Sequence, residues 1–260
     1  MGADLTKFEQ REAFAGNYPA ELASLQSRLA QLQIAQVTHR KRALIVFEGW
    51  ASSGKRAALK DLVGSWDPCY VSTCCVPCAI ESKDDRHWLA PFWGALPPAG
   101  ETTIFYDSWY RCLVEERLAG QADGKRWSRA CDEINEFEAQ QRDNGTVIVK
   151  LFFHVSADIQ AARINALLCD PWRRHLVTPN DVAEVSMRET TLPILHDMFT
   201  LTDTRWAPWR IINANDEHAA RIATLEVMVE TMTKGFPAEP PADTADIVDF
   251  PMTRASHRSG

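Results

Sequence analysis

No apolar run in the 260-residue sequence reaches the roughly 20 residues that cross a bilayer. The opening residues, Met1-Gly2-Ala3-Asp4-Leu5, lack the charged-then-apolar layout of a secretory leader. Gly2 is not followed by the Ser or Thr of a myristoylation signal. Positive charge is short as well, with 28 Lys and Arg against 35 Asp and Glu, a net charge of −7. A protein that grips long nucleic acid usually carries a basic surface. Neither nucleic acid nor a membrane is therefore the expected partner, and any polyanion must be met by a local basic channel. The seven cysteines are odd in number and scattered, so reduced thiols in a cytoplasmic setting are expected. Cys69, Cys74, Cys75 and Cys78 do not read as a zinc site. Adjacent Cys74 and Cys75 on a strand point to opposite faces, and no second C-x-x-C or His pair completes a tetrahedron. No internal repeat is visible.

What is present centres on Phe47-Glu48-Gly49-Trp50-Ala51-Ser52-Ser53-Gly54-Lys55. An apolar run, Ala43 to Phe47, precedes it and reads as a buried strand. Arg56 to Val63 follows with apolar residues at helical spacing. Strand, glycine-containing turn and helix form the context a phosphate-binding loop requires. Glycines let backbone N–H groups converge on phosphate oxygens, and the helix N-terminus adds partial positive charge. Gly49, Ser52, Ser53, Gly54, Lys55 and Arg56 are the candidate phosphate or nucleotide ligands, with Lys55 exposed at the loop. The position after Lys55 is usually a Ser or Thr whose hydroxyl holds Mg²⁺. Here it is Arg56.

Taken in order, residues 1–38 read as a loosely attached arm and an amphipathic helix. Residues 39–235 read as one phosphate-loop domain, and 236–260 as a flexible tail rich in Pro and Asp. Leu22, Leu25, Leu29 and Leu32 form a stripe that packs on its own domain or pairs with a second subunit. His39-Arg40-Lys41-Arg42 is a short basic cluster, and residues 81–87 are polar. Thr102 to Asp107 reads as a strand ending in a carboxylate, the place of a Mg²⁺ anchor in phosphate-loop enzymes. Asp170 to His175, with Arg173 and Arg174, reads as a basic lid segment. One helix from Pro179 to about Phe199 should kink at Pro193. Strands alternate with helices, which gives an α/β fold: a parallel sheet with helices on both faces and a ligand site at the carboxyl ends of the strands.

Several stretches together resemble the type 2 polyphosphate kinase family. They are Phe47-Glu48-Gly49 with Gly54-Lys55, Leu96 to Gly100, Ser108-Trp109-Tyr110 followed by Glu116-Arg117, Asp170-Pro171 with Arg174, and Ala207-Pro208-Trp209 followed by Ala220-Arg221. The resemblance covers about residues 22–229. It implies a phosphate-loop kinase-like three-layer sandwich with a helical lid. It also implies phosphoryl transfer between inorganic polyphosphate and nucleoside mono- or diphosphates, Mg²⁺ as cofactor, and a homodimer or homotetramer. On this reading Lys55, Asp107 and Arg111 are catalytic, Asp107 holds the metal, and Arg173 and Arg174 clamp phosphates.

The departures point the other way. The family's loop carries Asp where this chain has Ala51, and its Arg before Ser-Trp-Tyr is here Asp107. Its basic residues before the Leu-Pro turn fall on Pro91 and Gly94, its lid Trp-Lys on His175-Leu176, and its late Asp-Lys-Arg on Asp216-Glu217-His218. Each lost charged contact to phosphate costs about 1.5–3 kcal/mol. Weakened activity is thus one expectation. A silent relative that binds nucleotide, polyphosphate or a partner subunit is a second. A kinase using ATP and a small acceptor, with metal on Asp107, is a third.

Overall fold

The computed structural model describes residues 4–76, 78 and 86–237. The expectations for 81–85 and for most of the C-terminal tail fall outside those residues. Five parallel strands form one sheet in the order β2-β3-β1-β4-β5. They are β1 (Arg42–Gly49), β2 (Val71–Cys74), β3 (Thr102–Tyr106), β4 (Thr146–His154) and β5 (Trp209–Asn213). β1 and β4 are nearly continuous apolar runs and are buried along almost their whole length, as strands covered on both faces must be.

Three helices cover one face: α1 (Tyr18–Thr38), α2 (Lys55–Val63) and α9 (Glu217–Gly235). On the other lie α4 (Trp109–Leu118), α5 (Gly124–Asp143) and α8 (Arg188–Thr202). The short α3 (Ala90–Trp93) carries Phe92 into the core. α6 (Ala157–Cys169) and α7 (Pro179–Ser186) follow the carboxyl end of β4 and pack on each other. This is the three-layer α/β arrangement that the alternation of strands and helices predicts.

Three expectations change and one is narrowed. The arm is fastened from Asp4 onward. Leu5 is buried, Asn215 donates from Nδ2 to the Phe8 carbonyl (2.7 Å), and Arg11 pairs with Asp216 (3.0 Å). The leucine stripe of α1 lies within its own domain. α1 packs on α9 and α2, and Leu29 and Leu32 are fully buried, each burial stabilising by about 1.5–3 kcal/mol. Leu22 and Leu25 are half-buried against the same core. The single kinked helix is two helices that break at Met187, and Pro193 sits inside the second, α8. Pro193 is the sixth residue of α8, past the first turn, and α8 continues through it without the hydrogen bond its N–H would have made. Not all thiols are reduced: Cys78 and Cys112 form a disulfide with Cα atoms 5.0 Å apart, while Cys69, Cys74, Cys75, Cys131 and Cys169 are free. Among the described residues no helix is long and apolar enough to cross a membrane.

Candidate active site

β1 delivers the chain to the phosphate loop at Gly49. There φ is +135°, and a Cβ would fall 2.4 Å from the Phe153 carbonyl oxygen of β4, so only glycine fits. Gly54, at φ +93°, is the N-cap of α2 and offers no side-chain cap. The first N–H groups of α2 are therefore left for a ligand.

Lys55 begins α2. Its Nζ donates to the Gly49 carbonyl (3.0 Å) and to Asp107 Oδ1 (2.7 Å). The residue is 6% exposed, which corrects the expectation of an exposed lysine. The stem is enclosed beside Tyr106, whose ring lies under the ammonium, and only the head nears the cavity. Burial alone would lower its pKa. The charges of Asp107, Tyr106 and Glu48 outweigh that, and the net shift is upward.

Asp107 follows the last residue of β3 at φ +62°, a conformation Asp tolerates better than most residues. Its N–H donates to the Phe47 carbonyl (3.2 Å), tying the end of β3 to β1. Glu48 lies beneath, 4% exposed, accepting from the Ser108 N–H (2.6 Å) and Oγ (2.7 Å). Its pKa rises to about 7, first because it is buried and second because Asp107 is near, against the pull of Lys55 and the Ser108 bonds. The Ser-Trp-Tyr motif thus serves position: Ser108 caps α4 and holds Glu48, while Trp109 and Tyr110 are core.

Arg111, on the first turn of α4, donates from Nε to Glu115 (2.5 Å) and from Nη1 to Glu184 (3.2 Å). Burial lowers its pKa, but hydrogen bonding to Glu115 and the charge of Glu184 more than reverse the effect. Glu184 comes from α7. Its carboxylate also accepts from the Ala51 N–H (2.6 Å) and from Gln160 Nε2 (3.0 Å).

Two cavities meet at this point. One, of about 720 Å³, is lined by Lys55, Arg56, Asp107, Arg111, Arg163 and Arg173, among others. Five cationic side chains face four carboxylates there, so it is far less acidic than the chain as a whole. The other, of about 390 Å³, is mostly apolar, with Tyr110, Val114, Phe152, Leu195 and Met198 in its wall. Gly49, Glu48, Arg111 and Glu184 stand at its polar end.

Of the residues expected from sequence, Ser52, Gly54, Lys55, Arg56, Asp107, Arg111 and Arg173 line the larger cavity, and Gly49 lines the smaller. Two do not join them. Ser53 turns inward, its Oγ buried without a hydrogen-bond partner. Arg174 is exposed in a short turn and lines neither cavity. Glu48, Gln160, Arg163 and Glu184 went unmarked. Gln160, Arg163 and Ile164 share one face of α6 by their spacing. A polar residue beside a buried apolar one on that face was the available signal.

The chain resembles known proteins over most of its length. The profile of the family described as Polyphosphate kinase 2 (PPK2) matches residues 13–239. A polyphosphate:AMP phosphotransferase of Acinetobacter johnsonii is 34% identical over 230 residues, covering 88% of this chain and 47% of the relative. A GDP-polyphosphate phosphotransferase of Mycolicibacterium smegmatis is 28% identical, covering 82% of this chain and 75% of that one. The crystal structure of polyphosphate kinase 2 from Arthrobacter aurescens superposes with a TM-score of 0.85 at 27% identity, covering 95% of this chain and 88% of the other. The chain spans about half the length of the phosphotransferases named for AMP that it matches.

Proposed function

Because the chain belongs to the polyphosphate kinase 2 family, we propose that it transfers phosphoryl groups between inorganic polyphosphate and a nucleoside mono- or diphosphate. The observation that carries this reading is Lys55. Its ammonium stands at the phosphate loop beside Asp107, on a cavity that also holds Arg56, Arg111, Arg163 and Arg173. In the forward direction an oxygen of the acceptor's terminal phosphate attacks the end phosphorus of the polymer. The P–O bond to the rest of the chain breaks, and the polymer leaves one phosphate shorter. Such a transfer needs mostly positioning and charge neutralisation. Lys55 and the loop N–H groups meet the transferring group, while Arg111, Arg163 and Arg173 meet the polymer. The apolar cavity suits a nucleobase.

Mg²⁺ needs few protein ligands when substrate phosphates supply the rest. Asp107 Oδ1 is engaged by Lys55, yet 37% of the side chain remains open. Among the described residues no group of three His, Cys, Asp or Glu side chains converges. The donor set fits a metal shared with substrate, held by Asp107, rather than a ready-made protein cage. Bound there, Mg²⁺ would neutralise phosphate charge. A cytoplasmic setting and a dimer or tetramer are part of the same reading, with the half-buried Leu22 and Leu25 end of the α1 stripe as the expected contact. Sedimentation tests the assembly.

A second reading is favoured by one feature. Asp107 neutralises Lys55, and Glu184 neutralises Arg111. A relative that binds anions with little turnover would look like this. The experiment is a panel: polyphosphate, Mg²⁺ and each nucleoside mono- or diphosphate, with product nucleotide measured, and then ATP in place of polyphosphate. Product nucleotide from polyphosphate supports the first reading. Binding without product supports the second. Product only from ATP overturns both.

A further inference from the structure

Glu184 makes contacts unusual for a lid carboxylate. It is 12% exposed, and three donors from three different elements converge on it. The Ala51 N–H of the phosphate loop and Gln160 Nε2 of α6 both reach Oε1, at 2.6 and 3.0 Å. Arg111 Nη1 of α4 reaches Oε2 at 3.2 Å. A backbone N–H, an amide and a guanidinium around one anion is the donor set of a phosphate site. It lies at the border of the two cavities: Arg111 lines both, Glu184 lines the apolar one, and Ala51 lines the larger.

We propose that the Ala51 N–H, Gln160 Nε2 and Arg111 form the subsite for a phosphate of the acceptor nucleotide, and that the Glu184 carboxylate fills this subsite in the resting chain. The proposal rests on the phosphotransferase reading for the identity of the ligand, though not for the subsite itself. Its position relative to the cavities sets the ligand's shape. A base in the apolar cavity puts a 5′-phosphate at the border, facing the cavity that holds Lys55. An entering phosphate brings charge onto the place of the Glu184 carboxylate, so the two cannot share it. Displacing Glu184 frees α7, which also gives Asn180 and Ala183 to the wall of the apolar cavity. Phosphate entry and loosening of that wall are thereby one event.

The test measures binding of inorganic pyrophosphate, AMP and ADP to the full chain by calorimetry, for the wild type and Glu184→Gln. Gln keeps an oxygen for the Ala51 N–H but removes the competing charge. Glu184→Gln should therefore bind pyrophosphate roughly tenfold more tightly, the size of one charge-assisted hydrogen bond no longer in competition. Adding Gln160→Leu to that variant should reverse part of the gain. Unchanged or weaker pyrophosphate binding by Glu184→Gln overturns the subsite. A second measurement needs no variant. Pyrophosphate bound to the wild type should speed amide exchange across residues 179–186, and slowed or unchanged exchange there also overturns the proposal. The two readings fail separately. Tighter pyrophosphate with no nucleotide bound by either chain keeps the subsite and removes nucleotide as its ligand. Nucleotide phosphorylated from polyphosphate, with no shift in Glu184→Gln, keeps the function and removes the subsite.

Discussion

Two lysines in this molecule are buried on carboxylates, and they behave in opposite ways. Lys150 is inside β4, fully enclosed. Its Nζ donates to Glu138 Oε2 (2.9 Å), Tyr110 Oη (3.0 Å) and the Thr202 carbonyl (2.7 Å). An ammonium has three N–H donors, and here the protein uses them all. Burial pushes its pKa down, and Glu138 only partly restores it. Lys55 stands past the carboxyl end of β1, with two protein acceptors, Gly49 O and Asp107. One donor direction is left toward the cavity, and its pKa moves up. The same side chain is a structural bolt in the middle of the sheet and, on the function proposed above, a ligand at its edge. The number of acceptors the fold supplies decides which. Parallel strands leave spare donors only where the chain turns off the sheet, and that is where function gathers in such folds.

Breaking the bolt should have the largest effect. Lys150→Ala leaves the Glu138 carboxylate, itself fully buried, without its cation. Removing one member of a buried pair costs about 3–5 kcal/mol, so thermal unfolding should fall by many degrees or the chain should fail to fold. Lys150→Met with Glu138→Leu should recover most of the loss. A drop under about 1 kcal/mol for Lys150→Ala would mean that the network contributes little, and the contrast with Lys55 would collapse.

The ligand lysine should show the reverse balance. Lys55→Ala removes a charged contact to phosphate and should weaken pyrophosphate or polyphosphate binding by about 1.5–3 kcal/mol, tenfold to about a hundredfold. Its partner Asp107 is 37% exposed and can be solvated, so stability should fall far less than for Lys150→Ala. Calorimetric affinity and melting temperature on the same sample decide it. Full affinity in Lys55→Ala would remove the phosphate-loop assignment.

Asp107→Asn sharpens the comparison by altering only the partner of the ligand lysine. Asn still accepts from Lys55 and tolerates the positive φ. If Asp107 holds the metal with substrate phosphates, Mg²⁺-dependent turnover should drop tenfold or more by about one lost charged contact, with melting temperature little changed. If the protein only binds anions, the variant should bind pyrophosphate slightly more tightly and no turnover should appear.

The sequence made the place of the loop lysine legible, though not its burial, and hid the bolt. Gly49, Gly54 and Lys55 keep a fixed spacing after an apolar strand, so motif and context agree. Asp107 and Arg111 were readable because they follow a strand end directly. The strand order was readable only in outline, from alternation. Lys150 sits in the run Thr146 to Val155, which reads as one apolar strand with a charged interruption. Nothing local shows that Glu138, one helix earlier, reaches it. Glu184 and Arg163 were hidden for the same reason: their partners lie 133 and 111 residues away, at Ala51 and Ser52. Periodicity reports which face of an element is buried. It does not report which long-range donor meets which acceptor. The arm failed in the same way, since its Phe8 and Gln10 carbonyls and its Arg11 side chain find Asn215, Asn213 and Asp216 only after β5 is in place.

The effect confined to one pH window belongs to Glu48, which lies under both Lys55 and Asp107. Its folded pKa is about 7 against an ordinary value of 4.5, with burial the main cause and Asp107 the second. Between those values the folded chain keeps a proton that the unfolded chain releases. Stability linked to this group is therefore greatest at low pH and falls as pH rises through the window, then levels off above about pH 7. Glu48→Gln keeps an oxygen for both Ser108 donors and cannot titrate. The wild type should lose stability relative to Glu48→Gln between about pH 4.5 and 7, measured by denaturant unfolding across that range. Asp107→Asn removes the second cause, so in that background the loss should be smaller and level off at lower pH. A wild type that gains on Glu48→Gln as pH rises would mean that Lys55 outweighs burial at Glu48. The ligand lysine would then hold two ionised carboxylates, and its resemblance to the enclosed Lys150–Glu138 pair would be closer than the geometry implies.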